Sequence, residues 1–238
     1  MSNSRPPALA GRAYVLGATG FVGREIVRQL CVRGTRTVAH VRPDSKQLDD
    51  WRAKLVALGA EVDTTPWDVA ALAARWRELA PAQIYIVIGT TRGRAKADGV
   101  DGDIYERVDL GLTKLAVDAA RASEAAPRLV YLSSIGADPA ARGAYLRARG
   151  KAETCVRESG LPWAVARPAI ITGDRDDSRA GERTAAVVGD GLLAVAGLFS
   201  KSLKQRYQST TPDVLASALI RLGEQPEANV VADGAQLR

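Results

Sequence analysis

The spacing of hydrophobic positions along this chain switches several times between short apolar runs and helical repeats. Arg12–Leu16 is a short, mostly apolar run; Phe21, Val22, Ile26, Val27, Leu30 and Cys31 then recur at helical spacing, and Thr35–Val41 returns to a β-branched apolar run. Ala60–Thr65 predicts a third strand, with Asp68 at the turn after it and a helix through Trp76 and Leu79 that Pro81 breaks. Gln83–Gly89 is almost uninterrupted and apolar, the pattern of a strand buried on both faces of a parallel sheet. A helix carrying Val108, Leu112, Leu115, Ala116 and Ala119 leads to the strand Leu129–Ser134, and a further helix, about Ala144–Glu158, leads to the strand Trp163–Ala166. Thr210, Thr211 and Pro212 open the last clear helix, Val214–Leu222, with a capping hydroxyl before a proline in the first turn.

Between the first strand and the first helix lies Gly17-Ala18-Thr19-Gly20-Phe21-Val22-Gly23, three glycines spaced three apart. Such glycines let the backbone turn tightly, approach a pyrophosphate and pack the helix against the sheet. The first free N–H groups of the helix, at its positive dipole end, would face the phosphates. Six strands separated by helices, with this turn after the first, predict an α/β fold: a doubly wound parallel sheet of the Rossmann type, order 3-2-1-4-5-6, with right-handed crossovers. The expected division is one domain, with a frayed N-terminus over residues 1–11, the Rossmann core over 12–170 and a small C-terminal substrate-side extension over 171–238.

Composition narrows the classes. A chain of 238 residues, 46% hydrophobic, can bury a full core as one domain. Residues 1–10 are polar and contain proline, and the longest later apolar run, Gly191–Phe199, is too short to span a bilayer, so no membrane partner is expected. Cys31 and Cys155 fall in separate amphipathic helices and read as core thiols in a reducing, cytoplasmic setting. The net charge is +6, yet the arginines are scattered among acids, and no nucleic-acid partner is inferred. A lone histidine, His40 in the second strand, excludes a multi-histidine metal site, and no metal is expected; the absence of a second histidine and of a G-x-S-x-G turn argues against Ser/His/Asp hydrolysis.

Cofactor choice is read at the end of the second strand, where an acid would hydrogen-bond the ribose 2′-OH of NAD. Arg42 stands there instead, followed by Asp44, Ser45 and Lys46, and its fork of donors suits a 2′-phosphate. NADP(H) is therefore expected, with NAD(H) the less favoured choice because Asp44 can still turn toward a ribose. Asp68, Gly89, Thr90, Thr91, Arg167 and Pro168, at the carboxyl ends of later strands, complete the expected cofactor-binding set.

The chemistry is read from the strand ending in Ser133 and Ser134 and the helix that follows. Tyr145 and Arg149, four apart, share a helix face, whereas Lys151, six from Tyr145, points elsewhere. A serine hydroxyl can hold a carbonyl oxygen while a tyrosine gives or takes its proton; a fixed cation lowers a phenol's pKa from its free value of about 10 toward operating pH. The candidate catalytic set is thus Ser133, Ser134, Tyr145 and Arg149. Beyond Pro168 the strand-helix rhythm stops. Thr172–Arg179 reads as a loop shaping a substrate pocket, with Arg175 and Arg179 either clamping an anionic group or engaged with Asp174, Asp176 and Asp177. Val187–Phe199 reads as a helix on the sheet edge or in a dimer, or as a substrate wall.

These residues resemble the short-chain dehydrogenase/reductase superfamily in its extended or atypical, NmrA-like branch, where a G-x-x-G-x-x-G turn is joined to a strand-end serine and a Tyr-x-x-x-Lys helix. Gly89–Ala95, Leu132–Asp138, Tyr145-Leu146, Gly150, Arg167-Pro168 and Asp177–Glu182 look more narrowly like the HIV Tat-interacting oxidoreductase family, over about residues 12 to 185. The resemblance implies an NADP(H)-binding, single-domain cytosolic protein with reductase-type residues; a monomer or homodimer is expected, and the residues themselves point to hydride transfer to or from a carbonyl-type small molecule. Two departures stand out. Arg149 replaces the lysine, so Arg149→Lys is expected to preserve or raise activity, and the usual helix asparagine is missing, with Asp109 and Thr113 in its neighbourhood. They keep open a second class, a non-catalytic NADP(H)-binding redox sensor. An epimerase or dehydratase on a nucleotide sugar usually needs a larger substrate domain than this length leaves.

Overall fold

Parallel strands joined by helices alternate along the chain. The computed structural model describes residues 11–90, 103–169, 171 and 210–238. Its strands are β1 (Arg12–Leu16), β2 (Arg36–His40), β3 (Glu61–Asp63), β4 (Pro81–Ile86), β5 (Arg128–Leu132), β6 (Trp163–Arg167) and β7 (Val230–Asp233). They form one sheet in the order β3-β2-β1-β4-β5-β6-β7, every neighbouring pair parallel. The first six follow the expected order. The seventh, absent from the sequence reading, pairs with β6 from Ala164↔Val230 to Arg167↔Asp233.

The helices are α1 (Phe21–Val32), α2 (Leu48–Ala57), α3 (Val69–Leu79), α4 (Gly111–Ala122), α5 (Ala144–Arg157) and α6 (Pro212–Glu224). A π-helical turn, Tyr105–Leu110, runs directly into α4. Helix α2 goes beyond the sequence expectation: Leu55 is its one buried residue, and Leu48 and Trp51 pack only partly against the core, a weak version of the apolar stripe that marks a core helix. Pro81 begins β4, as a strand's first residue can; the helix before it ends at Ala80, whose φ of 44° is left-handed.

Alternation along the strands sends side chains to two covered faces. Ala13, Val15, Tyr85 and Val130 meet Ile26, Val27 and Leu30 of α1 and Leu215 and Leu219 of α6. On the other face Tyr14, Leu16, Ile84, Ile86 and Tyr131 meet Leu72 and Trp76 of α3, Ala116 of α4 and Val156 of α5. This is the doubly wound arrangement. Cys31 and Cys155 are free and only half-buried, at the edges of their helices rather than in the core, and burial pushes both thiols up. Among the described residues no helix is long and apolar enough to cross a membrane. Thr91, the Arg92–Ala95 loop, Thr172–Arg179 and Val187–Phe199 lie outside the described residues.

The short edge strand β3 is held by Asp63. Its carboxylate accepts from Tyr14 Oη at 2.9 Å, from Arg75 Nε at 3.2 Å and from both the N–H and the hydroxyl of Thr65. Beside it the buried His40 ring lies between Tyr14 and Trp67, with Nε2 2.8 Å from the Thr65 carbonyl; burial lowers its pKa, so it is a neutral packing histidine. Burial alone would raise the Asp63 pKa, but the hydrogen bonds from Thr65 and Tyr14 and the charge of Arg75 outweigh it and hold the group below its ordinary value. A depressed carboxylate stabilises the fold above its unfolded pKa, and that stabilisation is lost as pH falls through the folded value. Asp63→Asn is expected to lower unfolding stability by about 1–2 kcal/mol at neutral pH, with the gap to wild type closing below about pH 4. Urea titrations at neutral and acid pH measure this directly.

Candidate cofactor and active site

At the end of β1 the chain turns at Gly17, in the left-handed region with φ of 86°. The Gly20 N–H donates to the Gly17 carbonyl at 2.9 Å, and α1 starts at Phe21 with no side chain capping it. A Cβ on Gly17 would lie 2.8 Å from the Val87 carbonyl oxygen, and one on Gly23 would lie 2.1 Å from the Gly17 oxygen. Glycine at both positions lets the turn lie against β4 and the helix lie against the turn. Ala18 and Val22 are buried beneath it, while Thr19 and Phe21 are half-exposed at its rim. The N–H groups of Phe21, Val22 and Gly23 have no acceptor one turn back, so they form a cradle of backbone donors at the positive end of the helix. A cradle of this kind fits the pyrophosphate of a dinucleotide.

The sheet register places the other candidates at the same edge. Leu16 pairs with Ile86, Ile86 with Tyr131 and Tyr131 with Val165, so Gly17, Gly89, Ser133-Ser134 and Arg167 all lie past this row, at the carboxyl ends. Arg42, beyond β2, lies 3.8 Å from Asp44, so the two residues opposed for the ribose form a loose, solvent-exposed pair with each other. Asp68 accepts from the Ala71 N–H at 2.9 Å and caps α3. The Pro168 carbonyl accepts from the Ile135 N–H at 2.9 Å and ties the ends of β5 and β6 together. Gly89 and Thr90 follow β4, with Gly89 against Arg149 Nη2 and the Thr90 N–H directed to Asp109.

The two serines separate. Ser133, buried on the α5 face with Tyr131, donates to Glu153. Glu153 in turn receives a forked contact from Arg167, with Nε 2.9 Å from Oε1. Ser133 and Arg167 are therefore committed to an internal network joining β5, α5 and β6. Among the described residues, the buried Ser134 Oγ makes a long contact, 3.4 Å to the Ile135 carbonyl, and is the hydroxyl not drawn into that network.

Tyr145, in the first turn of α5, is half-exposed and stacks edge-on with Tyr105 at 5.4 Å. The Arg149 guanidinium carbon lies 5.4 Å from the Tyr145 ring centroid, the pairing expected from their spacing. Lys151 points elsewhere, to Glu106. Arg149 itself is buried: Nη1 donates to the Leu132 carbonyl at 2.9 Å and to Tyr131 Oη at 3.2 Å, and Nη2 lies 2.8 Å from Asp109. The Asp109 contacts are electrostatic and poorly aligned as hydrogen bonds. Burial pushes the Asp109 carboxyl up, opposed by the charge of Arg149 and the Thr90 N–H. Burial likewise pushes Tyr131 up to about 12. Thr113 donates to the Asp109 carbonyl at 2.6 Å within the helix. Sequence reasoning did not find Tyr131, Tyr105 or Glu153; the last was visible as an acid one turn beyond Arg149 on the same helix face.

A Rossmann sheet with a glycine cradle at one edge defines a dinucleotide-binding protein. The sequence matches the NAD(P)H-binding family over residues 17–192, and the chain belongs to that family. It is 31% identical over 218 residues to the protein fmp52, mitochondrial, of Aspergillus fumigatus, covering 88% of this chain and 85% of that one. It is 30% identical over 171 residues to the ceramide reductase of Caulobacter vibrioides, covering 72% of this chain and 50% of the other. Among solved structures, a putative NAD-dependent epimerase/dehydratase from Bacillus halodurans shares the fold with a TM-score of 0.65 at 18% identity, over 93% of this chain and 92% of that one.

Replacing Gly23 with alanine puts a methyl group into the Gly17 carbonyl. Gly23→Ala is expected to weaken nicotinamide dinucleotide binding by at least about tenfold while the circular dichroism spectrum keeps its α/β shape; a fluorescence titration of both proteins checks it.

Proposed function

We propose that the protein is an NADP(H)-dependent oxidoreductase of the atypical short-chain dehydrogenase type, transferring a hydride to or from a carbonyl-type small molecule. The observation that carries this reading is the Tyr145 ring over the buried Arg149 guanidinium, at the same sheet edge as the glycine cradle. The cradle donors of α1 would hold the pyrophosphate, and Arg42, with Ser45 and Lys46 in the same loop, would meet a 2′-phosphate. Bound nicotinamide supplies or accepts the hydride. Ser134 Oγ orients the substrate oxygen, and Tyr145 Oη gives or takes its proton. Arg149, fixed behind the ring, stabilises the negative charge that develops during that transfer. The reductase name carried by the Caulobacter relative supports the same reaction class.

A second reading, a non-catalytic NADP(H)-binding sensor, draws support from the Arg149 donors already engaged by Leu132, Tyr131 and Asp109. Turnover separates the two. With a panel of quinones, aldehydes and ketones, the wild type is expected to oxidise NADPH and to bind it more tightly than NADH. Tyr145→Phe is expected to reduce turnover by about 100-fold or more, with the NADPH Kd within about threefold of wild type. Unchanged turnover in the variant removes Tyr145 from the chemistry; tight binding without turnover in the wild type favours the sensor.

A further inference from the structure

Arg149 is held by three partners and one vacant volume. The Leu132 carbonyl and Tyr131 Oη take Nη1, and Asp109, fully buried, faces Nη2 at 2.8 Å. A Cβ at residue 89 would lie 2.6 Å from Nη2, so a side chain there would force the guanidinium to shift away from its partners. Asp109 comes from another element, the π-helical turn before α4, a local geometry that recurs where a helix is adapted to a site. A carboxylate buried this deeply is strongly disfavoured without a cation, so Asp109 and Arg149 require each other.

We propose that Asp109 and Gly89 are positioning residues: together they lock the Arg149 guanidinium beneath Tyr145, making it a fixed internal charge for proton transfer and not a ligand of the nucleotide ribose. The catalytic part of this inference rests on the oxidoreductase reading above, whereas the lock itself does not. One consequence reverses the expectation drawn from sequence. A single lysine ammonium cannot meet Leu132, Tyr131 and Asp109 together, because the three contacts use the planar fork of a guanidinium. Arg149→Lys should therefore impair the site rather than preserve it. A second consequence is compensation by size. The methyl group of Gly89→Ala enters the space of Nη2, and lysine leaves that space free.

The test uses the full chain as wild type, Gly89→Ala, Arg149→Lys, their combination, Asp109→Asn, Arg149→Met and the last two combined. The readouts are Tm, the NADPH Kd by fluorescence, and kcat and KM with 9,10-phenanthrenequinone. Gly89→Ala alone is expected to lower Tm, and the same change made together with Arg149→Lys is expected to cost less than half as much. Asp109→Asn is expected to lower kcat by about tenfold or more, leave KM and the NADPH Kd within about threefold, and add nothing when combined with Arg149→Met.

Additive Tm losses for Gly89→Ala and Arg149→Lys would overturn the lock. A tenfold weaker NADPH Kd in Asp109→Asn would overturn the assignment by showing that the pair serves the ribose. If the wild type turns over neither the quinone nor other carbonyls, the oxidoreductase reading and the positioning role fail together, while the Tm cycle still decides the lock. The same cycle decides it if Asp109→Asn does not fold.

Discussion

The contact between Gly23 and the Gly17 carbonyl is the constraint on which the rest of the molecule depends. A helix starting directly after a strand normally stands off from it by at least one side chain; here no Cβ intervenes, and one at Gly23 would lie 2.1 Å from the carbonyl oxygen. The first turn of α1 therefore sits on the carboxyl end of β1, with its unpaired N–H groups directed out of the sheet edge. Since the register carries the same row from Leu16 through Ile86 and Tyr131 to Val165, β4, β5 and β6 deliver their carboxyl ends at the same sheet edge as that cradle.

Helix α5 supplies the chemistry beside this anchor by an unusual use of charge. Tyr145, Arg149 and Glu153 lie one turn apart along its inner face, so the arginine and the glutamate are placed to pair with each other. They pair outward instead: Arg149 with Asp109 of the π turn, Glu153 with Arg167 of β6. Each pair fastens α5 to a different neighbour. Removing one member of the Arg149–Asp109 pair, both of whose side chains are buried, costs about 3–5 kcal/mol, because the remaining charge has no water to turn to. The result is a rigid platform with Tyr145 at its exposed end.

How much of this was legible follows from the range of each signal. The strand order and the glycine turn could be read because buried parallel strands are continuous apolar runs, and the tight turn needs glycine locally. The pairing of Tyr145 with Arg149 could be read because it lies within one helical turn. Helix α2 gives a weak signal because Leu55 alone is fully buried in it, with Leu48 and Trp51 packed only partly against the core, and β7 because Val230–Asp233 offers four residues with no helical or alternating pattern. The ion pairs with Asp109 and Arg167 join residues distant in the chain, and no periodicity announces them. The division of labour between Ser133 and Ser134 depends on which face of β5 meets α5, and that is settled by packing alone.

In the binding mode proposed above, backbone amides at the start of α1 hold the diphosphate of a nicotinamide dinucleotide. Amide hydrogen exchange, measured residue by residue with and without NADPH, tests it most directly. Exchange at Ala18–Gly23 is expected to slow markedly when the nucleotide is added. Unaltered exchange in that segment at saturating nucleotide would contradict it, whatever changes occurred elsewhere in the chain.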